Sequence, residues 1–138
     1  MNTPFSLDQG DTMNTEQKKP LILVTGATGY IGRRLTRRLL ANENYRLRLL
    51  VRDSRKLHVD VASATEVVEG DTFGDLDQTL QGVDTAFYLI HSMTSGKDYS
   101  DLDRKSAENF RDACIPAKVR RIIYLGGLGV HESAYNHL

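Results

Sequence analysis

Residues 21–35 read Leu21-Ile22-Leu23-Val24-Thr25-Gly26-Ala27-Thr28-Gly29-Tyr30-Ile31-Gly32-Arg33-Arg34-Leu35. An apolar run, Leu21 to Val24, enters a loop in which Gly26, Gly29 and Gly32 recur every three residues, and an amphipathic helical pattern follows. That is a strand, a tight turn and a helix N-terminus in series. A helix N-terminus presents unpaired N–H groups and about half a positive charge, which suits a phosphate. Glycine lets the backbone approach a diphosphate with no Cβ in the way. The stretch therefore predicts a dinucleotide site whose diphosphate rests on residues 26–32. The plain alternative is a set of turn glycines without a ligand, and the strand and helix flanks weigh against it.

Working outward, strand-like and helix-like patterns alternate from residue 20 to 127. Leu21–Thr25 reads as a short buried strand. Tyr30–Asn42 reads as a helix with Ile31, Leu35 and Leu39 inward and Arg33, Arg34, Arg37 and Arg38 wet. Arg46–Arg52 is a second strand, residues 53–64 give little signal beyond a weak helix or loop, and Thr65–Glu69 is a third strand. Gly74–Gln81 reads as a short helix ended by Gly82, and Asp84–His91 as a fourth strand whose core suits burial on both faces. Lys97–Ile115 is a long helix with Leu102, Ser106, Phe110, Ala113 and Ala117 near one side, stopped by Pro116; Arg121–Leu125 is a fifth strand.

Parallel neighbours need long crossovers, so this alternation implies an α/β fold with a doubly wound parallel sheet. The expected strand order is 3-2-1-4-5, Rossmann-like and cut off after strand 5, with the ligand crevice at the carboxyl edge between strands 1 and 4. Residues 1–19 are polar and read as a disordered leader ahead of a domain at 20–138, with Met13 an alternative start.

Composition narrows the function classes. The 138 residues carry 18 Lys+Arg against 18 Asp+Glu, a balance that argues against general nucleic-acid binding. No apolar stretch approaches the roughly 20 residues of a membrane span, and the leader lacks a signal-peptide core. The single cysteine, Cys114, excludes an internal disulfide framework and fits a reduced, cytoplasmic setting. It reads as a packed small residue rather than a nucleophile. His131, Glu132 and His137 are too scattered to make a metal site, so no metal is expected.

Thr25-Gly26-Ala27-Thr28-Gly29-Tyr30-Ile31-Gly32 resembles the T-G-x-x-G-x-x-G loop of the short-chain dehydrogenase/reductase superfamily. Leu50-Val51-Arg52-Asp53, Glu69-Gly70-Asp71, Tyr88-Leu89-Ile90-His91-Ser92 and Arg121-Ile122-Ile123-Tyr124-Leu125-Gly126-Gly127 are similar to its atypical members, NmrA-like and epimerase-like, in the right order. The likeness spans about residues 20–130. It implies a nicotinamide dinucleotide cofactor held by Gly26, Thr28, Gly29, Tyr30, Ile31 and Gly32. Thr25 and Thr28 either satisfy loop backbone groups or touch phosphate. An acid just past strand 2 would bind a ribose 2′-OH; Arg52 stands there instead, and with Arg33 it suits a 2′-phosphate. NADP is therefore preferred to NAD, while Asp53 keeps NAD open. The resemblance puts Asp71 at the adenine edge, with a turn or cap as the equal alternative. It sets Leu89, Ile90 and His91 against the cofactor riboses, and a structural role outweighs catalysis for His91.

Family reductases place Ser or Thr after strand 5 and a Tyr-x-x-x-Lys pair on the next helix. This sequence has Gly126-Gly127 there, Tyr135 is the last tyrosine, and Lys118 is the last lysine. The catalytic residues are thus unknown. The expectation is the cofactor half of an NADP-dependent oxidoreductase or nucleotide-sugar-epimerase-like enzyme acting on an unidentified small molecule. The alternative is a non-catalytic dinucleotide-binding regulatory or assembly module. An uncovered edge at strand 5 would invite self-association into a homo-oligomer.

Overall fold

The computed structural model describes residues 19–90 and 97–125. Five parallel strands, β1 (Leu21–Thr25), β2 (Arg46–Val51), β3 (Glu66–Glu69), β4 (Val83–Tyr88) and β5 (Arg121–Tyr124), form one sheet in the order β3-β2-β1-β4-β5. The helices are α1 (Tyr30–Leu40), α2 (Val59–Ala64), α3 (Asp77–Leu80) and α4 (Lys97–Cys114), with a 3₁₀ turn at Ser54–Lys56. The expected doubly wound order is the observed one.

The pleat sorts β1 between two cores. Leu21 and Leu23 join Leu50, Ala86 and Tyr88 under α3 and α4, where Leu76, Leu80, Phe110 and Cys114 close the layer. Ile22 and Val24 join Leu47, Leu49 and Val51 on the other face, against Val61 of α2 and Leu39 and Leu40 of α1. Arg48 interrupts the apolar run of β2 for a local reason. Its Nη1 donates to the carbonyls of Gln78 (3.3 Å), Thr79 (2.7 Å) and Gln81 (2.9 Å), and its Nε to Glu66 Oε1 (3.1 Å). A four-residue helix such as α3 cannot satisfy its own last carbonyls, and the guanidinium does so.

Several expected details shift. The inward stripe of α1 is Gly32 and Thr36, with Leu35 and Leu39 half-buried, while Ile31 is 44% exposed. The cause is contact at Gly32: a Cβ built there would lie 2.0 Å from the Gly26 carbonyl oxygen, so the helix meets the loop through its smallest residue. In α4 the inward stripe is Ser106, Phe110 and Cys114, whereas Leu102 is 48% exposed. Ser106 meets Tyr88, the last residue of β4, and Leu102 lies about 6 Å further along the helix, past the strand. Residues 53–64 hold a 3₁₀ turn and a short helix rather than a loop alone. As expected, α4 ends ahead of Pro116, at Cys114; Val119 N donates to Cys114 O and Lys118 N to Ile115 O, closing a Schellman turn with Lys118 at φ +63°. No helix among the described residues is long and apolar enough to cross a membrane.

Candidate dinucleotide site

β1 ends at Thr25, whose hydroxyl donates to the Phe87 carbonyl (3.0 Å) and whose carbonyl accepts from Leu89 N (3.3 Å). Fully buried, Thr25 thereby laces β1 to β4 at the carboxyl edge and settles its own role as structural. Gly26 then turns with φ +81°, and Gly29 N donates back to its carbonyl at 3.1 Å. The first helical bond of α1 runs from Arg33 N to Gly29 O, 2.9 Å. Gly29 caps the helix without a side chain, and the first turn holds no acidic residue. The amides of Tyr30, Ile31 and Gly32 consequently have no acceptor among the described residues. Three orphan donors at the positive end of a helix dipole are an anion site by construction.

Those amides border a cleft of about 630 Å³ walled by the ends of all five strands, a volume suited to a cofactor-sized ligand. The glycine loop contributes Gly26, Thr28, Gly29, Tyr30, Ile31 and Gly32; β2 and its turn contribute Leu50, Val51, Arg52, Asp53 and Lys56. Gly70, Asp71 and Thr72 come from the end of β3, Leu89 and Ile90 from β4, and Leu125 from β5. The structure thus brings ten of the twelve expected residues into this cleft. The eleventh, Arg33, is displaced: it sends its Nε to the Thr28 carbonyl (2.9 Å) and lines an adjoining cavity of about 240 Å³ with Thr36, Arg37 and His58. The twelfth, His91, lies outside the described residues, as do Gly126, Gly127, His131, Glu132, Tyr135 and His137. Tyr30 is exposed and carries the Arg34 guanidinium over its ring, 4.4 Å from the centroid.

The charges around the turn after β2 are unevenly spent. Asp53 accepts from Arg55 N (3.0 Å), Nε (2.9 Å) and Nη2 (3.0 Å). The Arg55 guanidinium, then its amide, hold this carboxyl below the ordinary carboxylate range. Glu69, at the end of β3, accepts from Ser54 N (2.9 Å) and Ser54 Oγ (2.7 Å). Those two bonds, the amide foremost, also depress its pKa. Arg52 and Lys56 form no ion pair among the described residues, although the Lys56 charge helps to lower the Asp53 pKa, and both line the cleft. Asp71 uses Oδ1 to accept from Phe73 N (2.8 Å) and Gly74 N (3.2 Å). It therefore shapes a turn and faces the cleft at once, so the two readings offered for it are not exclusive.

Sequence reasoning missed Lys56, because residues 53–64 show no clean period; the Asp53-Ser54 pair opening a turn was the available signal. It also missed Thr72 and the apolar walls at Leu50, Val51 and Leu125, which look like ordinary strand residues.

Comparison with known proteins agrees with this geometry. A family model described as NAD(P)H-binding matches residues 26–138. The chain is 35% identical over 115 residues to (4-alkanoyl-5-oxo-2,5-dihydrofuran-3-yl)methyl phosphate reductase of Streptomyces griseus subsp. griseus, covering 81% of this chain and 36% of that protein. It thus spans about a third of that relative's length. A Rossmann-fold NAD(P)-binding family protein from Shigella flexneri shares the fold at TM-score 0.69 and 24% identity, over 86% of this chain and 58% of that one. UDP-glucuronic acid 4-epimerase from Bacillus cereus, solved in complex with NAD, does so at TM-score 0.70 and 24% identity, over 81% and 41%. With the glycine loop, the strand order and the family match in agreement, the chain belongs to the NAD(P)H-binding family.

Proposed function

We propose that this chain is the cofactor-holding part of an NADP-dependent reductase. The carrying observation is the imbalance at the turn after β2: Arg52 and Lys56 line the cleft and form no ion pair among the described residues, Lys56 feeling only the longer-range charge of Asp53, while Asp53 and Glu69 are hydrogen-bonded by Arg55 and Ser54. A ribose diol needs a carboxylate acceptor at this place, and a 2′-phosphate needs cations. The residues present suit the second. The amides of Tyr30, Ile31 and Gly32 would take the diphosphate, and Gly29 would leave room for it. Arg52 and Lys56 would take the 2′-phosphate, with Arg33 one layer behind them. Leu89 and Ile90 would wall the riboses.

The cofactor, when bound, supplies a hydride to the substrate. The chain's own share is to fix the dinucleotide's position and exclude water along the apolar walls formed by Leu50, Val51 and Leu125. Reduction, rather than epimerisation, is supported by the Streptomyces relative, which is a reductase. A second reading, dinucleotide binding without chemistry, is favoured by Gly126-Gly127, where related reductases carry a hydroxyl residue.

Titration with NADPH and NADH, followed by nucleotide fluorescence, tests the cofactor choice. NADPH is expected to bind at least about tenfold more tightly, the value of one charge-assisted contact. Equal affinities, or tighter NADH, would remove the 2′-phosphate argument. Turnover of carbonyl or enone substrates with NADPH separates the reductase from the silent binder.

A further inference from the structure

Beside the cofactor cleft, α1 and the segment leading into α2 enclose the second cavity of about 240 Å³. Arg33, Thr36 and Arg37 form one wall, Lys56 and His58 the other, with Val61 behind them. Thr36 is 2% exposed, yet its hydroxyl has no hydrogen-bond partner among the described residues, and it is the one buried side-chain polar atom among them in that state. A buried hydroxyl costs free energy unless paired, and a valine of the same shape would avoid that cost. The groups around Thr36 are donors. Arg33 spends Nε on the Thr28 carbonyl (2.9 Å), and Arg37 Nη1 meets Asp60 Oδ2 only at 3.5 Å, so both guanidinium groups keep further N–H bonds to offer. The other nearby acid, Asp53, already accepts three bonds from Arg55 and senses the Lys56 charge from further off. Cations and an orphan hydroxyl thus share a cavity that lacks a matching acceptor.

We propose that this cavity binds a second anion, a tetrahedral phosphate-type dianion, alongside the dinucleotide and independently of it. The Thr36 hydroxyl and the Arg33 and Arg37 guanidinium groups donate to its oxygens, and the exposed His58 ring adds a donor from the outer side. Lys56 borders both cavities and remains with the 2′-phosphate. The volume takes a phosphate ion or the head of a phosphomonoester and is too small for a nucleotide. The inference goes beyond the dinucleotide reading, because the site needs no cofactor and is filled while NADPH is bound.

The test titrates inorganic phosphate by calorimetry into the protein alone and into the protein saturated with NADPH, with ionic strength held constant by chloride. A saturable Kd of about 1 mM or below is expected in both, differing by less than about threefold. Arg37→Ala should weaken phosphate about tenfold, the share of one charge-assisted contact, and leave NADPH affinity unchanged. Thr36→Val should weaken phosphate several-fold while its melting temperature in chloride holds or rises, because the unpaired hydroxyl is gone; Thr36→Ser recovers the binding. A merely structural Thr36 would give the same melting temperature with phosphate affinity untouched. If Thr36→Val does not fold, the exposed Arg37 carries the comparison. Glycerol 3-phosphate, titrated likewise, identifies the source: tighter than phosphate assigns an ester head group, weaker the free ion. Absence of saturable phosphate binding in the wild type, or equal binding in both variants, overturns the proposal and leaves water in the cavity. Displacement of phosphate by NADPH but not by NADH also overturns it, since the ion would then occupy the 2′-phosphate's place. A protein that binds phosphate and neither nucleotide would keep this site and overturn the dinucleotide reading instead.

Discussion

The loop from Gly26 to Gly32 and the turn from Arg52 to Lys56 border the same cleft and are held by opposite means. The glycine loop is fixed by backbone. Gly26 sits at φ +81°, Gly29 N closes on its carbonyl, and Gly32 presses so near that carbonyl that no side chain fits. The turn after β2 is fixed by charge. Asp53 grips Arg55 two residues on, and Glu69, fifteen residues away on another strand, grips Ser54. Steric fixation is local, salt-independent and intolerant of any side chain at the point of contact, Gly32. Electrostatic fixation depends on pH and on a partner elsewhere in the chain. The anchor that any dinucleotide needs is built the first way, and the device that would choose between dinucleotides is built the second.

The largest expected effects separate glycines that serve the fold from the glycine that serves the ligand. Gly32→Ala would place a Cβ 2.0 Å from backbone oxygen, and the helix would have to move off β1. A loss of about 3 kcal/mol or more is expected, seen as a fall in Tm of roughly 10 °C or more. At Gly29 a Cβ would meet only the Gly26 carbonyl oxygen at 3.5 Å, an ordinary contact, and φ −79° with ψ 176° suits any residue. Gly29→Val should therefore keep its Tm and circular dichroism yet bind NADPH about 100-fold more weakly, because the new side chain occupies the diphosphate's approach. Wild-type affinity in Gly29→Val would detach the diphosphate from this loop. A Tm loss as large as that of Gly32→Ala would erase the distinction between the two glycines.

This contrast also explains what the sequence made legible. A backbone-fixed loop leaves its constraint in the sequence itself, since three glycines at fixed spacing admit few explanations. The strand order followed for a similar reason: alternating apolar strands and crossovers leave little choice of topology. What stayed hidden depends on distant partners. Nothing within residues 53–64 announces that Glu69 will pin Ser54, so Lys56 was not seen as part of the cleft. Arg33 was expected beside Arg52; instead the Thr28 carbonyl draws it into the neighbouring cavity. Even the inward face of α1 was misjudged by one residue, because Ile31 and Leu35 obey helical spacing while Gly32 makes the actual contact.

A middle-sized effect sharpens the electrostatic half. Arg52→Ala and Lys56→Ala should each weaken NADPH by about tenfold and leave NADH almost unchanged, since each removes one charge-assisted contact to a 2′-phosphate. Loss of NADPH and NADH affinity in parallel would show that the two cations act on the diphosphate or on the fold. Arg33→Ala is the internal control: its guanidinium lies in the next cavity, and a smaller loss of NADPH binding is expected.

The smallest effect is a pH dependence that the glycine loop cannot show. Glu69 has its pKa held below the ordinary 4.5 by the Ser54 amide and hydroxyl, so its folded-state pKa is depressed. Such a group stabilises the fold fully above its unfolded pKa, and that contribution is lost as pH falls through the lower, folded value. Asp53, depressed from 3.8 by Arg55, acts in the same direction a little further into acid. Glu69→Gln retains a carbonyl acceptor and abolishes the titration. The Tm gap between wild type and this variant should therefore be constant and small from pH 7 to about 5, then close as the medium becomes more acidic. NADPH binding should weaken a few-fold in the variant at neutral pH, because the turn that presents Arg52 and Lys56 loses its charged tether, while the affinity for NADH holds. A gap that persists unchanged below pH 4 would mean that the Ser54 contact is not the source of the Glu69 shift, and the turn would then have to be held by Asp53 alone.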